Sequence, residues 1–219
     1  MKPVKDKRRY DSSGRQEQAR RNREAILAAA ERQFFEAGYA ATTVSAIARE
    51  AAVSVETVYK AFGGKAGLVK DIYERGLSGH GPVHAYQRSD EMREHETDPK
   101  ELMRKWGLLT AEVASVLTPI RLLMRSAADS DPEMAAQLED SDTDRLERMR
   151  HNAQFLKDHG HLREGTTLAD ATDILWTCSS AELYELLVLN RGWSLARFAE
   201  FVADVMIGAL MPKPTPEGT

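Results

Sequence analysis

The segment from Ser54 to Phe62 carries side chains that can form hydrogen bonds along one side of a short amphipathic helix. Apolar and aromatic residues recur at helical spacing at Val55, Val58, Tyr59 and Phe62. The solvent side is expected to present Val55, Glu56, Thr57, Tyr59 and Lys60. In the DNA major groove, glutamate can accept from cytosine N4, valine and threonine can contact the thymine methyl group, and lysine and tyrosine can reach phosphates or guanine. The segment therefore has the chemistry of a helix that reads base edges.

A second short amphipathic helix comes directly before this one. Thr42 and Thr43 are good N-cap residues for it. Its apolar positions are Val44, Ile47, Ala48 and Ala51. The turn between the helices offers Ala48 and Ala52 as small residues at the crossing and Val53 as an apolar plug. Two helices joined in this way are a helix-turn-helix signature. On the turn alone, an ordinary helical corner with solvated polar residues remains the alternative.

Lys65 is a separate indication of DNA binding. It opens the next helix, at an end where a cation opposes the helix macrodipole. A DNA phosphate at this position would satisfy both the lysine and the free N–H groups of the helix end. We therefore expect Lys65 to face a phosphate.

The charges of the 219-residue chain are unevenly distributed around a net charge of −4. Residues 1–70 contain 14 Lys and Arg against 8 Asp and Glu, whereas residues 71–219 contain 16 against 26. A basic end on an acidic body suggests a polyanionic partner, although chance clustering in a solvated tail gives the same count. The basic residues at the start are Lys2, Lys5, Lys7, Arg8, Arg9 and Arg15. They form either an arm that tracks phosphates or enters the minor groove, or a solubilising tail.

Helical periodicity extends over most of the chain and no segment has a strong strand signal, so we predict an all-α fold. Gly38 is expected to stop the first long helix. The stretch 78–99, rich in Gly, His and charge, is the best domain boundary. Beyond it, five helices are predicted at 99–117, 119–128, 132–159, 167–191 and 194–211.

A specific pattern of residues runs through the N-terminal third. It consists of Ile26-Leu27-Ala28-Ala29-Ala30, Phe34, Gly38-Tyr39, Thr42-Thr43-Val44, Ile47-Ala48, Ala51-Ala52-Val53-Ser54, Thr57-Val58-Tyr59, Phe62, Lys65 and Leu68. This pattern resembles the DNA-binding domain of the TetR family of transcriptional regulators, and the resemblance outweighs the helical-corner alternative. It implies three DNA-binding helices, of which the third is the recognition helix, followed by a connecting helix and a C-terminal helical domain for ligand binding and dimerisation.

The predicted organisation follows from this resemblance and the breaks in periodicity. It is a disordered basic arm at 1–16, a helix-turn-helix DNA-binding domain at 17–64, a connecting helix at 65–79, a ligand-binding and dimerisation domain at 80–211, and a disordered tail at 212–219.

The resemblance also implies roles for individual residues. Phosphate contacts are implied for Thr43, Ser54, Tyr59 and Lys65, and base-facing positions for Ser45, Val55, Glu56, Thr57 and Lys60. Two residues depart from the family pattern. Ala52 replaces the usual glycine of the turn, which we expect to be sterically mild, and Ala61 replaces a common histidine, which removes one possible DNA contact.

The C-terminal sequence indicates a second subunit. Residues 174–189 are apolar at 11 of 16 positions, so a helix here must be covered on more than one face. In the TetR family, the last two helices pair with their symmetry mates in a four-helix bundle. The residues expected at such an interface are Tyr184, Leu187, Phe198, Phe201 and Val205. Two recognition helices about 34 Å apart would read a palindromic operator.

A ligand pocket is expected among the middle helices, where the family binds its effectors. The candidate lining residues are Met103, Trp106, Leu109, Met124 and Trp176. Methionine and tryptophan form adaptable apolar pockets, although they fill ordinary cores more often.

Other chemistries find little support. The run Gly63-Gly64-Lys65 lacks the first glycine and the hydroxyl residue of a phosphate-binding loop. The pairs His80/His84 and His159/His161 have no cysteine partner and are most simply solvated, so neither a metal nor a cofactor is expected. A single cysteine, Cys178, in an apolar stretch fits a reducing cytoplasm, and we expect no membrane span.

We therefore predict that the chain is a DNA-binding transcriptional regulator and not an enzyme. The specific expectation is a repressor that binds double-stranded operator DNA as a homodimer and is released by an apolar or amphipathic small molecule. The alternatives are a ligand-independent or activating DNA binder, or an enzyme or carrier whose N-terminal helices are only structural.

Overall fold

The computed structural model describes residues 12–212, which form helices and turns with no β-strand among them. The all-α prediction is therefore confirmed. The chain divides into two compact units with the boundary between Leu68 and Val69. The predicted connecting helix contains this boundary, because α4 (Lys65–Gly76) begins in the first unit and ends in the second.

The N-terminal unit is a three-helix arrangement closed by the first turn of α4. Its helices are α1 (Ser12–Ala41), α2 (Val44–Glu50) and α3 (Val55–Phe62). Gly38 breaks α1 with a φ of 81°, as its place in the sequence predicts. The side chains that fill the core are Ile26, Ala30, Phe34, Ile47, Val58 and Leu68, each at most 1% exposed.

Helix α1 begins at Ser12, five residues before the start that periodicity predicts. Residues 12–16 are therefore helical and not part of a disordered arm. A solvent-exposed helical turn does not need regularly spaced apolar residues, because ion pairs between side chains three or four residues apart can stabilise it. Glu17 binds Arg20 at 2.8 Å and Arg21 at 3.0 Å, and Arg20 binds Glu24 at 2.6 Å. The arm residues Lys2, Lys5, Lys7, Arg8 and Arg9 and the tail 213–219 lie outside the described residues.

The C-terminal unit packs its helices around a long central helix. Its elements are α5 (Ala85–His95), α6 (Pro99–Ala128), α7 (Pro132–Asp158), α8 (Leu168–Cys178), α9 (Ala181–Tyr184) with a π-helical continuation (Glu185–Asn190), and α10 (Leu195–Leu210). Helix α6 contacts α5, α7, α9 and α10. Among residues 12–212, α6 is the one helix long and apolar enough to cross a membrane. Its packing partners cover it, and core helices commonly meet the same criteria.

Helix α5 occupies the segment that the sequence predicts to be a boundary loop. Its charged residues hide the helical pattern, but ion pairs with distant helices hold it in place. Arg88 binds Glu112 of α6 at 2.6 Å, and Asp90 binds Arg148 of α7 at 2.6 Å. These contacts are invisible to local sequence patterns, and they make α5 a part of the packed unit.

Two further helix boundaries differ from those predicted. Helix α6 runs through Pro119, which the sequence predicts to start a new helix. A proline inside a helix costs about 3 kcal/mol, and burial of Leu117, Ile120 and other residues on both sides offsets it. The predicted helix 167–191 is broken instead at Ser180, whose side chain caps α9 by accepting from the N–H of Leu183 at 3.2 Å.

Candidate functional site

The turn between α2 and α3 is defined by backbone hydrogen bonds. The N–H of Val53 donates to the carbonyl of Ala48 at 3.0 Å, and the N–H of Ala52 donates to that of Arg49 at 3.3 Å. This pair of bonds is a Schellman motif, which places one residue in the left-handed region. That residue is Ala52, with a φ of 55°. The alanine is thus strained where glycine would not be, and the expectation of a mild replacement is wrong in this respect.

Both short helices begin with a hydroxyl cap. Thr43 Oγ1 accepts from the N–H of Ala46 at 3.1 Å, and Ser54 Oγ accepts from the N–H of Thr57 at 3.1 Å. The Ser54 and Thr57 hydroxyls also share a 2.8 Å hydrogen bond. An N-cap of this kind fixes where the helix starts and satisfies an otherwise free backbone donor. The position of α3 along the chain is therefore set by Ser54.

The inner side of α3 is anchored to the N-terminal core. Val58 is fully buried and Phe62 nearly so, and the guanidinium of Arg23 lies 4.5 Å from the centre of the Phe62 ring. The helix ends at Gly63, which adopts a left-handed conformation with φ 75°. A Cβ on Gly67 would lie only 1.7 Å from the carbonyl oxygen of Phe62, so α4 passes this helix end at a distance that only glycine allows.

The outer side of α3 presents the predicted base-facing residues together. Glu56 and Lys60 are exposed, Val55 is 38% exposed, and Thr57 is half-buried. Tyr59, predicted to contact phosphate, lies on the same side and is 52% exposed. A valine and a tyrosine exposed to this extent on a short helix offer contact surface to a partner. Ser45 is exposed on α2.

The predicted phosphate contacts have different local roles. The Thr43 and Ser54 oxygens are occupied as acceptors by backbone N–H groups, and a hydroxyl group in this arrangement can still donate its proton. Lys65 is half-buried, and its Nζ donates to the carbonyl of Tyr39 at 2.8 Å and lies 4.2 Å from the Tyr39 ring centre. Lys65 therefore also ties α4 to the break at the end of α1, a role that the sequence did not predict.

Residues 26–72 match the model of the family described as bacterial regulatory proteins, tetR family. The matched segment begins in α1 and ends in α4, and it contains the whole helix-turn-helix just described. Residues 26–72 therefore form a domain of the TetR-family type. Comparison with curated protein sequences found no significant match.

Solved structures share the fold of this chain along nearly their whole length. The SmeT–triclosan complex is 24% identical with a TM-score of 0.68, over 90% of this chain and 99% of that one. SmeT is described as the repressor of a multidrug efflux pump of Stenotrophomonas maltophilia. NalD from Pseudomonas aeruginosa is 22% identical (TM-score 0.65; 88% and 98% covered). The fatty acid degradation regulator FadR from Bacillus halodurans is 18% identical (TM-score 0.69; 85% and 95% covered).

The C-terminal unit contains a mostly apolar cavity of about 110 Å³. Of the predicted pocket residues, Trp106 and Leu109 line it. Met103 is instead part of the buried core of this unit, Met124 borders a separate cleft, and Trp176 borders a shallow surface groove. Helical spacing cannot separate the cavity side of a buried helix from its other sides, so it could not show that three of the five residues lie away from this cavity.

The cavity also has polar lining residues that sequence reasoning missed. They are Tyr86, Ser89, Arg121, Arg145, Arg148 and Asn152. Burial raises the pKa of the Tyr86 hydroxyl to about 12, and the hydrogen bond from Arg148 holds the pKa of Asp90 below its ordinary value. Cys178 also lines the cavity, and burial raises the pKa of its thiol to about 11.

Two of the predicted dimer-interface residues are buried in their own chain. Tyr184 and Phe198 are 5% and 0% exposed, and their rings meet edge to face at 5.4 Å. They leave almost no surface for a second subunit, so their assignment to the interface is wrong. Leu187, Phe201 and Val205 are half-buried. The exposed apolar residues of this region are Leu186, Leu189 and Leu195, at 54%, 50% and 43%.

Proposed function

We propose that the protein is a dimeric repressor that binds a palindromic operator through α3 and leaves the DNA when a small molecule occupies the cavity of the C-terminal unit. The observation that carries this proposal is the outward side of α3, where Glu56, Thr57 and Lys60 are accessible while Val58 and Phe62 anchor the helix. A recognition helix needs this division between a buried side and a polar side. We also assign the protein to the cytoplasm, where it would meet its operator.

The dimer in this proposal rests on exposed apolar surface. Leu186, Leu189 and Leu195 are at least 43% exposed and stand close in sequence to the half-buried Phe201 and Val205. Exposed apolar residues that form one patch would mark an interface. A helix-turn-helix dimer also reads two half-sites, and a palindromic operator requires the twofold symmetry that such an interface would supply.

Release by a ligand is supported by the cavity and by the named relatives. SmeT and NalD are described as repressors of multidrug efflux pumps, and SmeT is described in complex with triclosan. We infer that this chain works in the same general way. A ligand lowers DNA affinity only if it binds the DNA-incompetent arrangement more tightly, and a hundredfold loss of affinity needs about 2.7 kcal/mol of that preference.

The test is fluorescence anisotropy on labelled DNA from upstream of the chain's own coding sequence. Wild-type protein should bind with a saturable, sequence-preferring and salt-sensitive isotherm. Lys60→Ala should weaken binding at least roughly tenfold, since a good base or phosphate contact contributes about 1–3 kcal/mol. Lys157→Ala is the matched control, because Lys157 is an exposed lysine of the C-terminal unit. Equal losses in both variants, or no binding by wild type at low salt, would contradict the proposal.

A further inference from the structure

Three buried arginines stand in the wall of the C-terminal cavity. Arg121 comes from α6, and Arg145 and Arg148 come from α7. Their side chains are only 7%, 12% and 8% exposed. Arginine is almost never buried unless it is paired, so the partners of these three guanidinium groups show what the cavity is built to hold.

The three guanidinium groups are only partly satisfied by the protein. Arg121 donates to Ser141 and Asp142, Arg145 to Asp142, Ser179 and the carbonyl of Trp176, and Arg148 to Asp90 and the carbonyl of Tyr86. These bonds use the terminal nitrogens. Within residues 12–212, the buried Nε–H groups of all three arginines have no hydrogen-bond partner. A buried donor without a partner costs about 1–3 kcal/mol.

The charges around the cavity are also unbalanced. Asp142 is shared by Arg121 and Arg145, and Asp90 is shared by Arg148 and Arg93. Both carboxylates are turned towards solvent, with side chains 39% and 41% exposed. A third acid near Arg145, Glu182, is 59% exposed and lies 3.6 Å from Arg125. The three arginines thus bind only two carboxylates directly, and both carboxylates are half-buried and shared, while Asp144 acts on the neighbouring Tyr86 from a distance.

This imbalance acts on Arg145 most strongly. Burial lowers the pKa of its guanidinium, and the positive charge of Arg121 lowers it further, against the hydrogen bond to Asp142. A second negative group at this position would relieve the repulsion between the two arginines. It would also gain charge-assisted hydrogen bonds, which are about twice as strong as neutral ones.

Much of the remaining cavity wall is apolar and includes Leu77, Trp106, Leu109, Val113 and Leu117. We propose that the effector is an amphipathic anion, with a carboxylate or similar acidic group against Arg121, Arg145 and Arg148 and an apolar body along α6. This inference rests on the proposed function only in taking the cavity as the effector site.

The test compares three probes with the same apolar chain: decanoate, 1-decanol and decylammonium. Binding to the full-length protein is followed by tryptophan fluorescence, since Trp106 lines the cavity. Decanoate should bind roughly ten- to hundredfold more tightly than decanol, which corresponds to the ∼1.5–3 kcal/mol of a charged hydrogen bond, and decylammonium should bind most weakly. Equal binding of the acid and the alcohol, or tighter binding of the cation, would overturn the inference.

Substitution of one arginine then locates the acidic group. Arg145→Gln should reduce the preference for decanoate over decanol to within about threefold, which is the scale of a neutral hydrogen bond. Arg125→Gln is the matched control and should keep the preference, because Arg125 is 45% exposed and pairs with Glu185 at 2.7 Å outside the cavity. An unchanged preference in Arg145→Gln overturns the assignment. If that variant does not fold, the relative affinities of the wild-type protein for the three probes decide whether the cavity binds an anion.

A separate DNA-binding measurement distinguishes this inference from the proposed function. Decanoate that binds with the expected preference but does not release operator DNA would contradict ligand-controlled repression and leave the anion site standing. If the protein binds operator DNA normally but does not bind decanoate more tightly than the other two probes, the anion site is overturned. The DNA-binding function is then unaffected.

Discussion

The N–H of Val53 donates to the carbonyl of Ala48 across the turn between α2 and α3, at a distance of 3.0 Å. This bond encloses Ala52, whose φ of 55° is the one left-handed conformation of a non-glycine residue within residues 12–212. The angle between α2 and α3 therefore depends on a strained alanine. The methyl group of Ala52 is exposed to solvent, so no packing contact compensates for the strain.

Replacing this alanine with glycine should stabilise the protein. The left-handed conformation costs alanine about 1–2 kcal/mol, and the greater freedom of glycine in the unfolded chain offsets part of it. We expect Ala52→Gly to raise the free energy of unfolding by roughly 0.5–1 kcal/mol. Urea denaturation followed by circular dichroism measures this change, and hydrogen exchange of the α2 and α3 amides localises it. Ala61→Gly is the control, because a helical alanine replaced by glycine should lower stability. If Ala52→Gly lowered the free energy of unfolding, the conclusion that Ala52 is strained would be wrong.

The capping role of Ser54 and its proposed contact with DNA can be separated by two substitutions. Ser54→Ala removes the acceptor for the N–H of Thr57 and should lower stability by about 1 kcal/mol. Ser54→Asp keeps an acceptor at the N-cap, where a negative charge also favours the helix dipole, so stability should stay near wild type. DNA affinity should nevertheless fall in Ser54→Asp, because a carboxylate repels phosphate and has no proton to donate.

Denaturation and anisotropy on the same two Ser54 variants decide between these roles. Wild-type DNA affinity in Ser54→Asp would show that the side chain makes no phosphate contact. Equal destabilisation in both variants would show that the cap does not fix the start of α3.

Gly107 marks the closest approach of α6 to α10. A Cβ at this position would lie 2.5 Å from the carbonyl oxygen of Ala199 and 3.1 Å from the Cβ of Ala203. Gly107→Ala should therefore push the helices apart and destabilise the C-terminal unit by about 1–3 kcal/mol. Gly208→Ala is the matched control, since a Cβ there meets no atom within 4 Å, and its better helix propensity should add up to about 1 kcal/mol. Thermal denaturation that ranks the two variants in the opposite order would refute this packing.

The helix-turn-helix could be predicted closely because local rules determine it. The hydroxyl cap at Thr43 lies where the sequence predicts it, and the cap at Ser54 and the break at Gly63 likewise act within one helical turn. The outward orientation of Glu56 and Lys60 follows from the same periodicity. Their contacts with DNA stay predictions. The double role of Lys65 was missed because its partner Tyr39 is 26 residues away in the chain.

The C-terminal unit was harder to predict because its contacts are long-range. Arg121 and Asp142 belong to different helices and look like ordinary surface charges in the sequence, yet they meet at 2.7 Å with the arginine buried. Tyr184 and Phe198 were expected at the interface from the family resemblance, but their rings meet edge to face inside the chain. The spacing of apolar residues shows that one side of a helix is apolar, but it does not show which part of the protein or which partner covers that side.

Cys178 provides a test of cavity burial that is independent of DNA. It is the single cysteine of the chain and is 3% exposed, and burial raises the pKa of its thiol to about 11. The thiolate is the reactive form, so at pH 8 the folded protein should react with iodoacetamide at least about a hundredfold more slowly than the urea-unfolded protein. Mass spectrometry after timed quenching measures both rates. Rates within a few fold of each other would contradict a buried, protonated thiol.

The same raised pKa predicts a loss of stability in alkali. The pKa of the thiol is higher in the folded state than its ordinary value of 9.0, so the folded state holds its proton more tightly than the unfolded state. This contribution to stability is fully present below about pH 9 and is lost as the pH rises towards about 11. The urea midpoint of wild type should therefore fall more steeply between these values than that of Cys178→Ala, which shares every other titrating group. If the urea midpoints of the two proteins fell in parallel as the pH rises, ionisation of the Cys178 thiol would not lower the stability of the folded state.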